Sequence, residues 1–378
     1  MSRKLRIVHC FRSPVGGLFR HVRDLAHAQF AAGHDVGIIC DSTTGGAYED
    51  QLFEGIEKVL ALGVKRTPMQ RHVGPGDLAA AWRTYRIISE LRPDILHGHG
   101  AKGGAYARLF GSFSRASRSR VARVYTPHGG SLHYDVDTLT GQAFFAAERL
   151  LGRATDQLLF VSDYERKTYE TKVGVPLAPY RLVYNGLQAE EFAAVRADKN
   201  AADLLYVGMM RDLKGPDLLI EAAANAATSM GRRLSVTMVG DGDDKPRYQN
   251  RAEALRDRLD IRFLPAMAAR DAFKLGRIMV VPSRAEAMPY IVLEALAARK
   301  PMIASAVGGI PEIFGKNSPA LVHPETNDLA DRIITALSDE KAYRSVMPTQ
   351  AELKKRFSAD EMAREIEAAY TATLDRLT

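Results

Sequence analysis

Glu286 and Glu294 stand with seven residues between them in the segment PSRAEAMPYIVLEALAARKPMIASAVGGIPEIF (282–314). Spacing alone means little, since Glu49 and Glu57 repeat it. The context gives it weight. An apolar run, RIMVVPS (277–283), ends just before Glu286, and Pro289 sits where a helix would begin. The free N–H groups of a helix starting at Tyr290 carry about half a positive charge and form an anion site. Glu286 would lie in the loop before that helix and Glu294 inside it. Solvated surface carboxylates are the alternative, but the apolar flanks of Glu294 (YIVLEALAA) make full solvation awkward.

A second constellation is VGMMRDLKG (207–215), which follows an apolar run and precedes a helical pattern. Arg211 and Lys214 would stand with Gly208 at the carboxyl end of a strand. Two cations beside a helix start suit a diphosphate without a metal; a solvated loop is the bland reading. In the first half, Pro14-Val15-Gly16-Gly17 opens a helix, either as a tight turn or as a close backbone approach to a ligand. Pro127-His128-Gly129-Gly130 ends another apolar run. His97 and His99 have no third ligand at metal-binding spacing, so no metal site is expected. Asp135-Val136-Asp137 and Asp241-Gly242-Asp243 match a D-x-D pattern that is common by chance. The chain contains no G-x-x-x-x-G-K-[ST], and no G-x-G-x-x-G follows the first strand.

The elements that must position these residues are legible as two sets of short apolar runs. The first set is 5–10, 35–40, 94–99, 121–128 and 156–162; the second is 204–208, 234–240, 261–265, 277–283 and 301–305. Helical patterns separate them, including 18–32, 78–91 and 141–153, then 217–227, 246–259, 289–298 and 329–337. Near-continuous apolar runs alternating with helices predict parallel sheets buried on both faces. The expected fold is α/β, with two doubly wound, Rossmann-like domains facing a central cleft. Their boundaries are read as 1–187, a polar linker 188–202, 203–357, and a C-terminal helix over 358–378. Hydrophobic residues are 46% and charged residues 26%, which excludes a disordered or fibrous chain. Two cysteines, Cys10 and Cys40, fit a reducing compartment, and MSRKLRIVHCF is too short in apolar residues for a signal peptide. A cytoplasmic location is expected.

The 282–314 segment resembles the signature of retaining glycosyltransferases of family 4, which have the GT-B fold. Other pieces occur in the family's order: VGGLFRHVRDLA, ILHGHGAKGGAYARL, YTPHGG, FVSDYER, VYNGL, VGMMRDLKGPDLLIEA and VGDGDDKPRYQ. The resemblance implies a metal-independent transfer, with retention, of a sugar from a nucleotide diphosphate to a hydroxyl acceptor. UDP-sugar is the default donor and no cofactor is needed. It places Gly16 and Gly17 near the donor phosphates and His128 near the transferred sugar. Arg211 and Lys214 stabilise the leaving diphosphate, and Glu286 contacts sugar hydroxyls. Glu294 holds the ribose, and the backbone near Met288, Pro289 and Tyr290 receives phosphates. The terminal helix is expected to pack back on the first domain. Two positions depart from the pattern: Ala287, and Ala298-Arg299-Lys300, where the family has glycine. Ala287 requires a loop that avoids positive φ there.

Residues 1–186 hold 25 Lys and Arg against 17 Asp and Glu, whereas residues 187–378 hold 27 against 28. A one-sided basic excess suggests an anionic partner. Arg108, Arg115, Arg118, Arg120 and Arg123, with Phe110 and Phe113, would suit anionic lipid at a membrane where a lipid-linked or lipopolysaccharide acceptor resides; a solvated basic loop is equally open. No nucleic-acid module is recognisable. A sugar-nucleotide epimerase of similar architecture is the alternative activity, but no acid/base carboxylate set for it is visible in the first half.

Overall fold

The computed structural model describes residues 3–69, 76–116 and 121–377. The chain divides into two compact units, Met1–Gly186 with Ala359–Thr378, and Leu187–Ser358.

In the first unit, seven strands form one parallel sheet in the order β3-β2-β1-β4-β5-β6-β7. They are β1 (Arg6–Phe11), β2 (Asp35–Asp41), β3 (Gly63–Thr67), β4 (Ile95–His99), β5 (Ala122–Thr126), β6 (Gln157–Phe160) and β7 (Tyr180–Leu182). The second unit holds six parallel strands in the order β10-β9-β8-β11-β12-β13. These are β8 (Ala202–Val207), β9 (Leu234–Val239), β10 (Leu259–Leu264), β11 (Gly276–Val281), β12 (Met302–Ser305) and β13 (Leu321–Val322). Each sheet starts in its middle and grows outward in both directions, so each has a switch point. It lies between β1 and β4 in one unit and between β8 and β11 in the other. At such a point the connecting helices leave on opposite faces, and the carboxyl ends of the two strands are open to a ligand.

Every apolar run read from the sequence holds a strand, but three overreach by two residues at the carboxyl end: 121–128 stops at Thr126, 156–162 at Phe160 and 277–283 at Val281, and His128 lies beyond its strand with φ +50. Alternation assigns the faces. Ile7, Ile95 and Val124 pack with Met362, Ile366, Ala369 and Tyr370 of the terminal helix Ala359–Leu377. Val8, Cys10 and Leu96 point to the opposite face, against Tyr106 and Phe110. Residues 188–202, read as a linker, lie in the second unit: Phe192 is buried and the Val195 amide donates to the Ala298 carbonyl at 2.9 Å.

Candidate functional site

In the second unit the site residues stand just past the two switch-point strands. The loop after β8 carries Gly208, Met209, Met210 and Arg211 into a short helical turn, Asp212–Lys214. Gly215 then caps the helix Pro216–Met230 in a left-handed conformation, φ +68. A Cβ at Gly215 would come within 2.1 Å of the Pro282 carbonyl oxygen, so only glycine lets this loop lie against the loop after β11. The Arg284 amide donates to the Leu213 carbonyl at 2.9 Å, and the Arg284 guanidinium spans Asp217. The two loops are thereby one rigid piece.

That piece brings together Lys214 and Glu286, which are 72 residues apart in sequence: Lys214 Nζ donates to Glu286 Oε1 at 2.6 Å. The Ser283 hydroxyl donates to the same oxygen at 2.8 Å. Glu286 is buried and Lys214 retains about a quarter of its side-chain exposure. Burial, and then the nearby Glu286 charge, push the Tyr206 phenol well above its ordinary value, and its hydroxyl donates to the Met209 carbonyl at 2.7 Å. Arg211 Nε is buried with no hydrogen-bond partner among the described residues. A Cβ at Gly308 (φ +61) would stand 1.7 Å from the Glu286 carbonyl oxygen, so the loop after β12 also presses on Glu286.

The helix Tyr290–Ala297 begins at Pro289, with no side-chain cap and no acidic residue in its first turn. Met288 and Tyr290 are buried, and Glu294 is half-buried one turn into the helix. Ala287 is not among the described non-glycine residues of positive φ, so the loop accommodates it without strain. At the helix end, Arg299 adopts φ +59, where the family signature has glycine. Lys300 is buried, with Nζ on the Gly276 carbonyl, and burial lowers it to about 8.

The first unit places Gly16, with φ +64, and Gly17 exposed at the start of the helix Gly16–Ala31, just past β1. The loop that follows His128 is held by a buried carboxylate that the sequence reading passed over: Glu165 accepts from the Gly129 amide at 2.5 Å and from the Val161 amide at 2.9 Å. The FVSDYER motif contained that residue without revealing its role.

The sequence reading also missed a histidine cluster. Two residues beyond Ile7, Ile95 and Val124, on the same face, come His9, His97 and Thr126, and His99 follows His97. His9 Nδ1 lies 2.9 Å from His99 Nε2, and His99 Nδ1 lies 3.1 Å from His128 Nε2. His9 Nε2 meets Gln29 Oε1 at 2.9 Å. His97 meets the Tyr370 hydroxyl through Nδ1 at 2.6 Å and Thr126 Oγ1 through Nε2 at 2.8 Å. His21 Nδ1 lies 3.1 Å from Asn185 Oδ1. Burial pushes His9 down to about 4 and, joined by the charge of His9, His21 down to about 3. Burial and then the neighbouring imidazoles hold His97, His99 and His128 well below the ordinary histidine range. All five are therefore neutral at pH 7. Among the described residues, His9, His97 and His99, or His21, His99 and His128, bring one ring nitrogen each within 4.8 Å. In the first triad both ring nitrogens of every histidine already have side-chain partners. In the second, an ion would have to replace the proton shared by His99 and His128.

The basic patch is corrected. Arg108 is fully buried, pairing with Glu148 at 2.8 Å and lying over the Tyr125 ring. Arg115 and Arg123 both grip Asp156, at 2.6 and 2.9 Å. Arg108 is thus spent inside the unit, and Arg115 and Arg123 share one partly buried carboxylate, so these three do not stand free as one exposed basic patch. Arg118 and Arg120 lie outside the described residues. Among the described residues no helix is long and apolar enough to cross a membrane.

Residues 15–191 match the family model for Glycosyltransferase Family 4, and residues 188–354 match Glycosyl transferases group 1. The chain is a GT-B glycosyltransferase. The transferase is 27% identical over 351 residues to glycogen synthase of Mycobacterium tuberculosis, covering 87% of this chain and 84% of that one. It is 29% identical over 310 residues to D-inositol 3-phosphate glycosyltransferase of Kribbella flavida, covering 74% and 72%. Its fold is that of Anabaena Alr3699/HepE, solved in complex with UDP and glucose, with a TM-score of 0.77, 17% identity and coverage of 97% and 100%.

Proposed function

We propose that the transferase moves a sugar, with retention and without a metal, from a nucleoside diphosphate to a hydroxyl acceptor. The observation that carries this reading is the Lys214–Glu286 pair, fixed past the switch-point strands β8 and β11 beside an uncapped helix N-terminus. Lys214, Arg211 and the amides near Met288, Pro289 and Tyr290 receive the diphosphate, with Gly208 leaving room for it. Glu286, oriented by Lys214 and Ser283, takes sugar hydroxyls, and Glu294 takes the ribose. In the first unit, His128 contacts the transferred sugar, and Gly16 and Gly17 offer backbone to the phosphates.

Departure of the diphosphate breaks the bond between C1 and the phosphate oxygen and leaves an oxocarbenium-like sugar. The acceptor oxygen bonds to C1 on the same face, and its proton passes to the departing phosphate. Cations and amides placed where charge develops contribute about 3 to 4 kcal/mol each to the barrier. A UDP-sugar is the donor favoured by the likeness to a fold solved with UDP and glucose. The acceptor is a bacterial lipopolysaccharide or exopolysaccharide precursor, and the setting is cytoplasmic, where Cys10 and Cys40 stay reduced.

Thermal denaturation against a panel of nucleotide sugars tests the donor. One UDP-sugar at 100 times its Kd adds about 2.7 kcal/mol of stability. Transfer of that sugar should continue unchanged in EDTA. No stabilisation by any nucleotide sugar, or loss of transfer in EDTA, would overturn the reading.

A further inference from the structure

The hydrogen bonds of the first unit's histidine cluster form a single directed chain. A Gln29 carbonyl oxygen can only accept, so His9 carries its proton on Nε2. A neutral imidazole has one N–H, so His9 Nδ1 is bare and accepts from His99 Nε2–H. His99 Nδ1 is then bare and accepts from His128 Nε2–H. The other end of the Gln29 amide donates to the Tyr370 phenol, which donates to His97 Nδ1, and His97 Nε2–H reaches Thr126. Burial keeps each of these rings neutral at pH 7, so each carries a single N–H. Reversing the Gln29 amide would reverse every tautomer along the chain, so one residue on the helix Gly16–Ala31 sets the state of His128 past β5.

We propose that Gln29, His9 and His99 are positioning residues that hold His128 as its Nε2–H tautomer, leaving Nδ1 as an acceptor for a hydroxyl of the bound sugar. This rests on the placement of His128 at the transferred sugar. It also fixes what His128 can do there: it accepts from a hydroxyl and does not donate to a phosphate oxygen. The opposite tautomer would do the reverse.

The test is imidazole nitrogen NMR on the full chain labelled with 15N-histidine, without substrate. The His128 signals are assigned by their absence in His128→Gln. The expected result is one His128 tautomer, protonated at Nε2. Protonation at Nδ1, or an even mixture, would overturn the proposal. Gln29→Leu should turn His128 into a mixture and lower kcat about tenfold at constant KM, the loss of one aligned hydrogen bond. Gln29→Glu, which keeps an accepting oxygen, should restore the Nε2–H signal and most of kcat. A fall in kcat with the tautomer unchanged would assign Gln29 a merely structural role and also overturn the proposal. If Gln29→Leu does not fold, the wild-type spectrum still decides. Because that spectrum is read without substrate, it can fail while transfer holds, and the reverse.

Discussion

Lys214 and Glu286 hold each other in place, and in the proposed site the functional weight of that pair falls on the ammonium. Glu286 keeps a second partner in Ser283, so the carboxylate stays oriented when the cation is removed. Lys214→Ala should therefore cost turnover more than stability: kcat falls about 10²–10³-fold, the usual loss of one preorganised charge donor, while the melting temperature moves by a few degrees. Steady-state kinetics beside calorimetry check this, and near-wild-type turnover would remove Lys214 from the site. Arg299 makes the opposite case, a residue whose replacement should help. It is exposed, its φ of +59 is left-handed, and glycine relieves that conformation. Arg299→Gly should raise stability by about 0.5–1 kcal/mol after the added freedom of the unfolded chain is subtracted. A guanidinium chloride midpoint that falls instead would show that the Arg299 side chain makes a contact worth more than the strain.

Loops rather than strands carry the donor site proposed for the second unit, and they were the less legible elements. Gly308→Ala places a methyl against the Glu286 carbonyl at a position whose φ is +61. It should destabilise the unit by about 1–3 kcal/mol and weaken donor binding, while Gly231→Ala, which meets nothing within 4 Å at a similar φ, should show the conformational term alone. Equal loss of nucleotide-sugar stabilisation in both variants would disprove the contact. The strands themselves were readable because each central one is an apolar run buried on both faces. β3, β7 and β13 were not, since an edge strand of two to five residues such as Tyr180–Leu182 leaves half its side chains to solvent and loses the pattern. The helix Gly100–Ala116 was hidden by its glycines, which are poor helix formers, and its arginines were accordingly read as surface. The pattern 246–259 overran because Leu259 opens β10 while the helix ends at Glu253. Strand-end positions for Arg211, Lys214, Glu286 and His128 followed from the run boundaries. The Lys214–Glu286 contact did not, because only the adjacency of β8 and β11 closes the 72 residues between them. The histidine chain depended likewise on Tyr370, contributed by a helix at the far end of the sequence.

Charge looks different once residues are grouped by folded unit. The first unit, with the terminal helix, carries 27 Lys and Arg against 22 Asp and Glu; the second carries 25 against 23. The acidic helix Ala359–Leu377 returns to the basic sheet and removes most of the contrast between sequence halves, while Glu148 and Asp156 absorb three arginines internally. What distinguishes the first unit is its buried neutral histidines, and their consequence is acid sensitivity. A histidine titrates near 6.5 when unfolded, and here each folded value is lower, so between the two values the unfolded chain binds more protons. Stability then falls as pH falls. For His9 the window runs from 6.5 down to about 4 and is worth about 3 kcal/mol, with His21, His97, His99 and His128 adding in the same direction. The second unit holds one histidine, His323, and it is exposed. As pH is lowered from 7 to 5, hydrogen exchange read by mass spectrometry should therefore accelerate first in peptides covering Arg6–Phe11 and Ile95–His99, while Leu234–Val239 and Gly276–Val281 stay protected. The difference should shrink in His9→Gln, which keeps a polar side chain but removes one proton-binding site. Simultaneous loss of protection in both units, or earlier loss in the second, would show that these histidines do not control acid unfolding.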